Sequence, residues 1–220
     1  MSWRIGFATL ALLAAACATT PKPTAEAPVH SPAASVEELA AAIKSDADRS
    51  EHEPDARTRS DLAAQADQAA QSCLAIAPDS AACQYGDAVS LGLQARGHPT
   101  HAGEFLGRML DALAKAEAAD PAYDEAGPAR VRALVLIRAP AWPLGPGDAD
   151  AGLTAARRAV ALRPGYPPNL LALAESLART GDASSSRDYY TRAREAAMTM
   201  PAGADRDDWL HAADQGLHNK

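Results

Sequence analysis

Three short stretches carry residue types that could do chemistry. His98-Pro99-Thr100-His101 places two imidazoles close together. A zinc site needs three or four protein ligands, and the local sequence completes no such set, so the stretch reads as a solvated turn. Ser184-Ser185-Ser186 offers hydroxyls, but a serine nucleophile needs an adjacent base or a strained elbow, and neither is visible. The three serines read as capping groups at the start of a helix. Gly145-Pro146-Gly147-Asp148 has the glycines of a phosphate loop without its lysine or the following Ser or Thr. No catalytic residue, no metal site and no cofactor is expected, and the chain is read as a non-enzyme.

The cysteines carry a different chemistry. Arg4 supplies a positive start, residues 5–13 form a short apolar run, and Ala14-Ala15-Ala16 precede Cys17. This is a secretory leader, too short for a stable membrane span. A cysteine directly after small residues resembles a bacterial lipoprotein signal. That resemblance implies cleavage before Cys17, acylation of its thiol and new amine, and, with Ala18 next, the periplasmic face of the outer membrane. Several acyl chains give a stable anchor where one is marginal. The alternative is ordinary cleavage and a soluble periplasmic protein. Cys73 and Cys83 lie ten residues apart. In an oxidising compartment they are expected to form a disulfide across two antiparallel helices; two buried free thiols are the other reading.

Composition narrows the class. Hydrophobic residues make up 47% of the chain, enough to build a core, while aromatics are only 5% and alanine is abundant. Alanine is the best helix former, and small side chains let helices approach closely. The formal net charge is −7, and loss of Arg4 with the leader makes it more negative. Nucleic acid is therefore not an expected partner, since phosphate binding needs a basic footprint.

The elements that must position these residues read as helices throughout. Residues 19–34 are rich in Pro, Ala and Thr and form a flexible tether. Ser35 and Glu38 make a capping box that opens a helix, which the polar segment 49–53 is expected to break. Helices follow at about 57–77, 80–96, 101–119, 123–139, 150–162, 168–180 and 184–200, with Pro78, Pro121, Pro164 and Gly181 as stops. The helix at 123–139 contains Val131-Arg132-Ala133-Leu134-Val135-Leu136-Ile137, apolar nearly all round, and is expected to be the most buried. A last helix at 205–217 carries Trp209, Ala212 and Ala213 inward as a cap. The one irregular piece is Ala139-Pro140-Ala141-Trp142-Pro143-Leu144-Gly145-Pro146-Gly147-Asp148. Proline keeps helix out of it, and Asp148 caps the next helix. Trp142 is read as a hydrophobic plug seating a packed loop; an anchor for a ligand or partner is the alternative.

The stops repeat. Pro78, Pro121 and Pro164 are spaced 43 residues apart. Five places before each stand Cys73, Ala116 and Ala159; eight places after stand Gly86, Ala129 and Ala172. Equal spacing with helix-turn-helix content indicates stacked units. The pattern resembles the tetratricopeptide repeat, with a period longer than the usual ~34 residues. The implied fold is all-α, a right-handed α-solenoid of about four irregular hairpins plus a C-terminal capping helix. Tetratricopeptide arrays bind through the concave face lined by the first helix of each hairpin. Asp87 and Arg130 share an offset from their prolines and are candidates for that face, with Asn169 one turn before the third equivalent place. These helices lack lysine, which argues against a chaperone-type carboxylate clamp.

The leader at Cys17, Gly127-Pro128-Ala129-Arg130, the loop from Ala139 through Trp142-Pro143 to Gly147-Asp148, Ala159 to Tyr166, Asn169 and Leu173-Ala174-Glu175 together resemble the T component of TRAP transporters. The resemblance covers about residues 62–197. It implies an accessory role: binding a periplasmic substrate-binding protein, a small organic ligand, or both. It also implies homo-oligomers with a channel through each subunit. The organisation is then a leader at 1–16, a lipidated cysteine and tether at 17–34, and a helical-repeat domain at 35–220. The alternative function is a scaffold for outer-membrane assembly or secretin piloting.

Overall fold

Ser35 opens the first helix by accepting the Glu38 amide on its hydroxyl at 3.2 Å, while its own amide donates to Glu38 Oε2 at 2.8 Å. The Glu38 amide and the N-cap amide, two of the donors left without helical partners at this end, are thereby satisfied. A computed structural model describes residues 34–218. The leader, Cys17 and nearly all of the tether lie outside the described residues. Nine α-helices occur among those described: α1 (Val36–His52), α2 (Ala56–Ile76), α3 (Ala81–Gly97), α4 (Ala102–Ala119), α5 (Tyr123–Arg138), α6 (Ala149–Leu162), α7 (Pro167–Arg179), α8 (Ala183–Met198) and α9 (Ala204–His218). A 3-10 turn, Pro99–His101, leads into α4. No strand is present among the described residues, so the fold is all-α; one isolated bridge joins Ala141 and Gly147.

The three 43-spaced prolines follow three helix ends of the same form. Ala77, Asp120 and Arg163 have φ between −140° and −149° and donate their amides to Cys73, Ala116 and Ala159. The residue before proline is pushed out of the helical region, which ends each helix there. Cys73, Ala116 and Ala159 are 0% exposed, Ala129 is 0% and Ala172 is 1%. Gly86 is buried too, and a Cβ there would lie 2.7 Å from Ile43 Cδ1 of α1. Small residues at these places therefore set how closely the helices meet.

Each helix packs on the next in the chain. Beyond that, the odd-numbered helices form a series: α1 touches α3, α3 touches α5, α5 touches α7 and α7 touches α9. The described even-numbered helices make no such contacts with one another. Two layers in which one is drawn together and the other splayed must curve toward the drawn side. The cores are local: Leu39, Ile43 and alanines of α2 around the cysteines, then Leu91 with Met109 and Leu113, then Ala133 and Ala156 with Leu173 and Leu177.

Several expectations need correction. Helix α1 continues through the polar segment to His52. Its last turn is held because Arg96 Nη2 donates to the Ser50 carbonyl at 2.5 Å and hydroxyl at 3.0 Å; Pro54 then stops it. Helix α5 is regular only from Gly127, because Asp124, Glu125 and Ala126 all have positive φ. It is not the most buried helix: α7 buries eight of its 13 residues, α5 eight of 16. Helix α7 lies between α5, α6, α8 and α9, whereas the first turn of α5 carries the exposed Asp124 and Glu125. Trp142 is 88% exposed and Leu144 79% exposed, so the tryptophan is no plug. The loop is held instead by its own backbone. Gly147 donates to the Pro140 carbonyl and Asp148 to that of Leu136, both at 2.9 Å. Asp148 caps α6 through the Ala151 amide, and the Trp142–Pro143 peptide is cis.

Cys73 of α2 and Cys83 of α3 form a disulfide with a Cα–Cα distance of 5.2 Å. It closes a short loop around Pro78, so reduction releases chain entropy in the unfolded state only. Reduction, or the double substitution Cys73→Ala with Cys83→Ala, should lower stability by about 2–3 kcal/mol while leaving the helical circular dichroism intact; urea unfolding with and without reductant measures it.

Candidate functional site

The curved layer of odd-numbered helices encloses a cavity of about 1120 Å³, walled by α1, α3, the start of α5, the start of α7 and α9. Its two ends approach across the mouth, where His52 Nε2 of α1 lies 3.9 Å from Asp208 of α9.

The floor is built on an unusual turn. Asp124, Glu125 and Ala126 have φ of 47°, 54° and 65° in succession. A left-handed turn of ordinary residues costs roughly 1–2 kcal/mol each, because Cβ crowds the following carbonyl. Such a turn persists only where its surroundings fix it. Arg130, one turn into α5, does so. Its Nη1 donates to the carbonyls of Asp124 and Glu125 at 3.1 and 3.2 Å, and its Nη2 to Asp124 Oδ2 at 2.7 Å. Nη1 also reaches Asn169 Oδ1 of α7 at 3.2 Å. The Asn169 amide donates to the Glu125 carbonyl at 2.9 Å, and to the carbonyls of Ala159 and Arg163 at 3.3 Å. Asn169 is 0% exposed. One guanidinium and one carboxamide thus tie α5, α6 and α7 to the same turn.

Tyrosines surround this lock. Tyr85 of α3 donates its hydroxyl to Asp124 Oδ2 at 2.9 Å. Gly127 makes room for that pair, since a Cβ there would stand 2.8 Å from both the hydroxyl and the carboxylate. Tyr85 and Tyr123 meet edge to face at 5.5 Å, and so do Tyr166 and Trp209 at 5.6 Å. The guanidinium of Arg130 lies 5.3 Å from the centre of the Tyr166 ring. Burial pushes the Tyr85 phenol above its ordinary value, with Arg130 opposing and Asp124 adding to the rise. Burial also raises Tyr123 and Tyr166.

The residues singled out from sequence separate in space. Arg130 and Asn169 are brought together as described. Asp87 is not among the residues lining the cavity. It is half-buried, Oδ1 has no hydrogen-bond partner, and burial raises its carboxyl pKa against the opposing charge of Arg108. The Pro140–Asp148 loop also lies outside the cavity lining. His98 and His101 are exposed around the 3-10 turn. Asp182, not a serine, caps α8 by accepting the Ser185 amide, with the Ser184 hydroxyl also donating to it; the hydroxyl of Ser185 first, then its amide and the Ser184 hydroxyl, lower the Asp182 carboxyl from its ordinary value. Missed by sequence reasoning were Tyr85, Tyr123, Tyr166 and Asp124. The equal offset of Tyr123 and Tyr166, each two places after a repeated proline, was the available signal. No group of three or more His, Cys, Asp or Glu side chains that could hold a metal ion is present among the described residues. The arrangement is suited to holding a molecule. No family model matches the sequence, and no curated protein matches it.

Arg130→Met should strip the Asp124 carboxylate of its cation and the Asp124 carbonyl of its donor and cost about 3–5 kcal/mol, whereas Tyr85→Phe should cost about 1 kcal/mol; urea unfolding of the two variants measures the contrast. The mouth predicts a pH effect. His52 is held above its ordinary value of 6.5, first by donating to the Asp48 carbonyl and then by the charge of Asp208. The bridge it makes is fully present below that ordinary value and is lost as pH rises through the raised one. Protection factors of amides near Asp208, corrected for the intrinsic pH dependence of exchange, should fall as pH rises above 6.5, and His52→Gln should flatten the profile.

Proposed function

We propose that the protein is an envelope lipoprotein acting as a non-catalytic helical-repeat adaptor, an accessory component of a TRAP-type solute uptake system. In this reading α1–α8 are four tetratricopeptide-like hairpins of a right-handed α-solenoid, and α9 is its cap. The observation that carries the reading is the cavity of about 1120 Å³ on the drawn-together face of the odd-numbered helices. A volume of this size accommodates a small organic ligand, and its rim offers a surface to a substrate-binding protein. The identical helix ends before Pro78, Pro121 and Pro164 support the repeat. The Cys73–Cys83 bridge supports an oxidising compartment. Cys17 is the anchor, placing the domain on the periplasmic face of the outer membrane.

Two measurements test this. Cys17→Ser should move the protein from the membrane to the soluble envelope fraction; continued membrane association of that variant contradicts a lipid anchor. A photo-crosslinker at Ala41, on the cavity wall, should capture a periplasmic substrate-binding protein from living cells. Capture of outer-membrane assembly or secretin components instead selects the scaffold function.

A further inference from the structure

The cavity's charge and its aromatic walls specify a ligand class, on the reading that the cavity is a binding site. Helix α1 contributes Glu37, Asp48 and Glu51 to it, and α9 contributes Asp205 and Asp208. The cations of the wall are already engaged. Arg130 is neutralised by Asp124 at 2.7 Å, and Lys44 by Asp48 at 2.9 Å. The surplus carboxylates, Glu37 and Glu51 of α1 and Asp205 and Asp208 of α9, come from opposite sides, so the space between them has a negative potential. The wall's own groups register it. The Lys44 ammonium is held above its ordinary value first by its hydrogen bond to Asp48, with Asp205 and Asp124 adding. His52 is raised as well, with Asp208, Glu51 and Asp48 contributing charge from α9 and α1.

Negative potential alone would suit any cation. The aromatic pairs Tyr85–Tyr123 and Tyr166–Trp209 add the second element; Arg130 already sits against the Tyr166 ring, and the half-buried Tyr123 and Trp209 line the cavity beside it. Ring faces attract a weakly hydrated organic ammonium and give nothing comparable to a hydrated metal ion. An organic anion would face the carboxylates with Arg130 and Lys44 already paired. We propose that the cavity binds a small organic ammonium ion, with the charged nitrogen against the tyrosine and tryptophan rings and the acidic mouth of α1 and α9 drawing it in.

The test is calorimetric titration of the full chain, purified from solubilised membranes, with three probes. These are choline, its uncharged carbon isostere 3,3-dimethylbutan-1-ol, and succinate. Choline should bind saturably at one site, the isostere about tenfold or more weaker, and succinate not at all. Trp209→Leu should weaken choline binding about tenfold, and the pair Asp205→Asn with Asp208→Asn should weaken it and reduce its salt dependence. The acidic pair of variants guards against a folding defect in the tryptophan variant. Equal binding of choline and its isostere overturns the ammonium assignment while leaving a ligand cavity. Preferred binding of succinate also overturns it and favours an organic-acid carrier. Failure of all three at millimolar concentration overturns it too, and the crosslinking from Ala41 then judges the adaptor reading separately.

Discussion

A single guanidinium fixes the shape of the middle of this protein. Arg130 donates to two carbonyls of the left-handed turn, to the Asp124 carboxylate and to Asn169 of the neighbouring hairpin. Without those bonds only Tyr85 on the Asp124 carboxylate and the Asn169 carboxamide on the Glu125 carbonyl hold three consecutive residues with Cβ against the following carbonyl. The turn in turn decides where α5 starts, and so where Tyr123 and Asp124 stand relative to Tyr85. The cavity floor is the consequence. A charge-assisted network of this kind, with Arg130 and Asn169 buried and the Asp124 carboxylate partly exposed, is worth more than its parts taken singly, because its hydrogen bonds polarise one another.

Around that lock the packing is made mostly of alanine. Helices meet through Ala66, Ala69, Ala116, Ala129, Ala159 and their like, all 0% exposed. Small residues shorten the distance between helices without adding much apolar area per residue. The disulfide between α2 and α3 and the ion pairs between hairpins supplement that modest core. Arg138 makes a bidentate pair with Glu175 at 2.8 and 2.6 Å, and Arg158 pairs with Glu117. Each joins a hairpin to the next. The fold is therefore held together locally, each helix on its neighbours in the chain.

Much of this was legible in the sequence where the controlling physics is local. A proline ends a helix through its own ring, so Pro78, Pro121 and Pro164 marked three ends within a residue. The Ser35–Glu38 box and the Asp148 cap act over three residues and were equally readable. The cysteine pair needed only two antiparallel helices and a short turn. What failed depended on partners far along the chain. The last turn of α1 is held by Arg96, 46 residues away. The left-handed turn contains no glycine, the usual marker of positive φ, and is fixed by Arg130 and by Asn169 beyond α6. Arg130 stood out by its offset from Pro121, and Asn169 as the polar residue one turn before the third equivalent place, but nothing local in the sequence shows that they satisfy each other and the same backbone. Trp142 misled for another reason: a large apolar side chain suggests burial, yet this loop closes through backbone hydrogen bonds that leave the ring outside.

The most direct test is nuclear magnetic resonance of the isotopically labelled full chain, reading the intraresidue amide–Hα Overhauser effects of Asp124, Glu125 and Ala126. Positive φ brings those two protons close, so strong cross-peaks are predicted at all three residues, and their collapse to helical intensity in Arg130→Met. Weak, helix-like cross-peaks in the unmodified protein, or strong ones that survive loss of the guanidinium, would contradict the account.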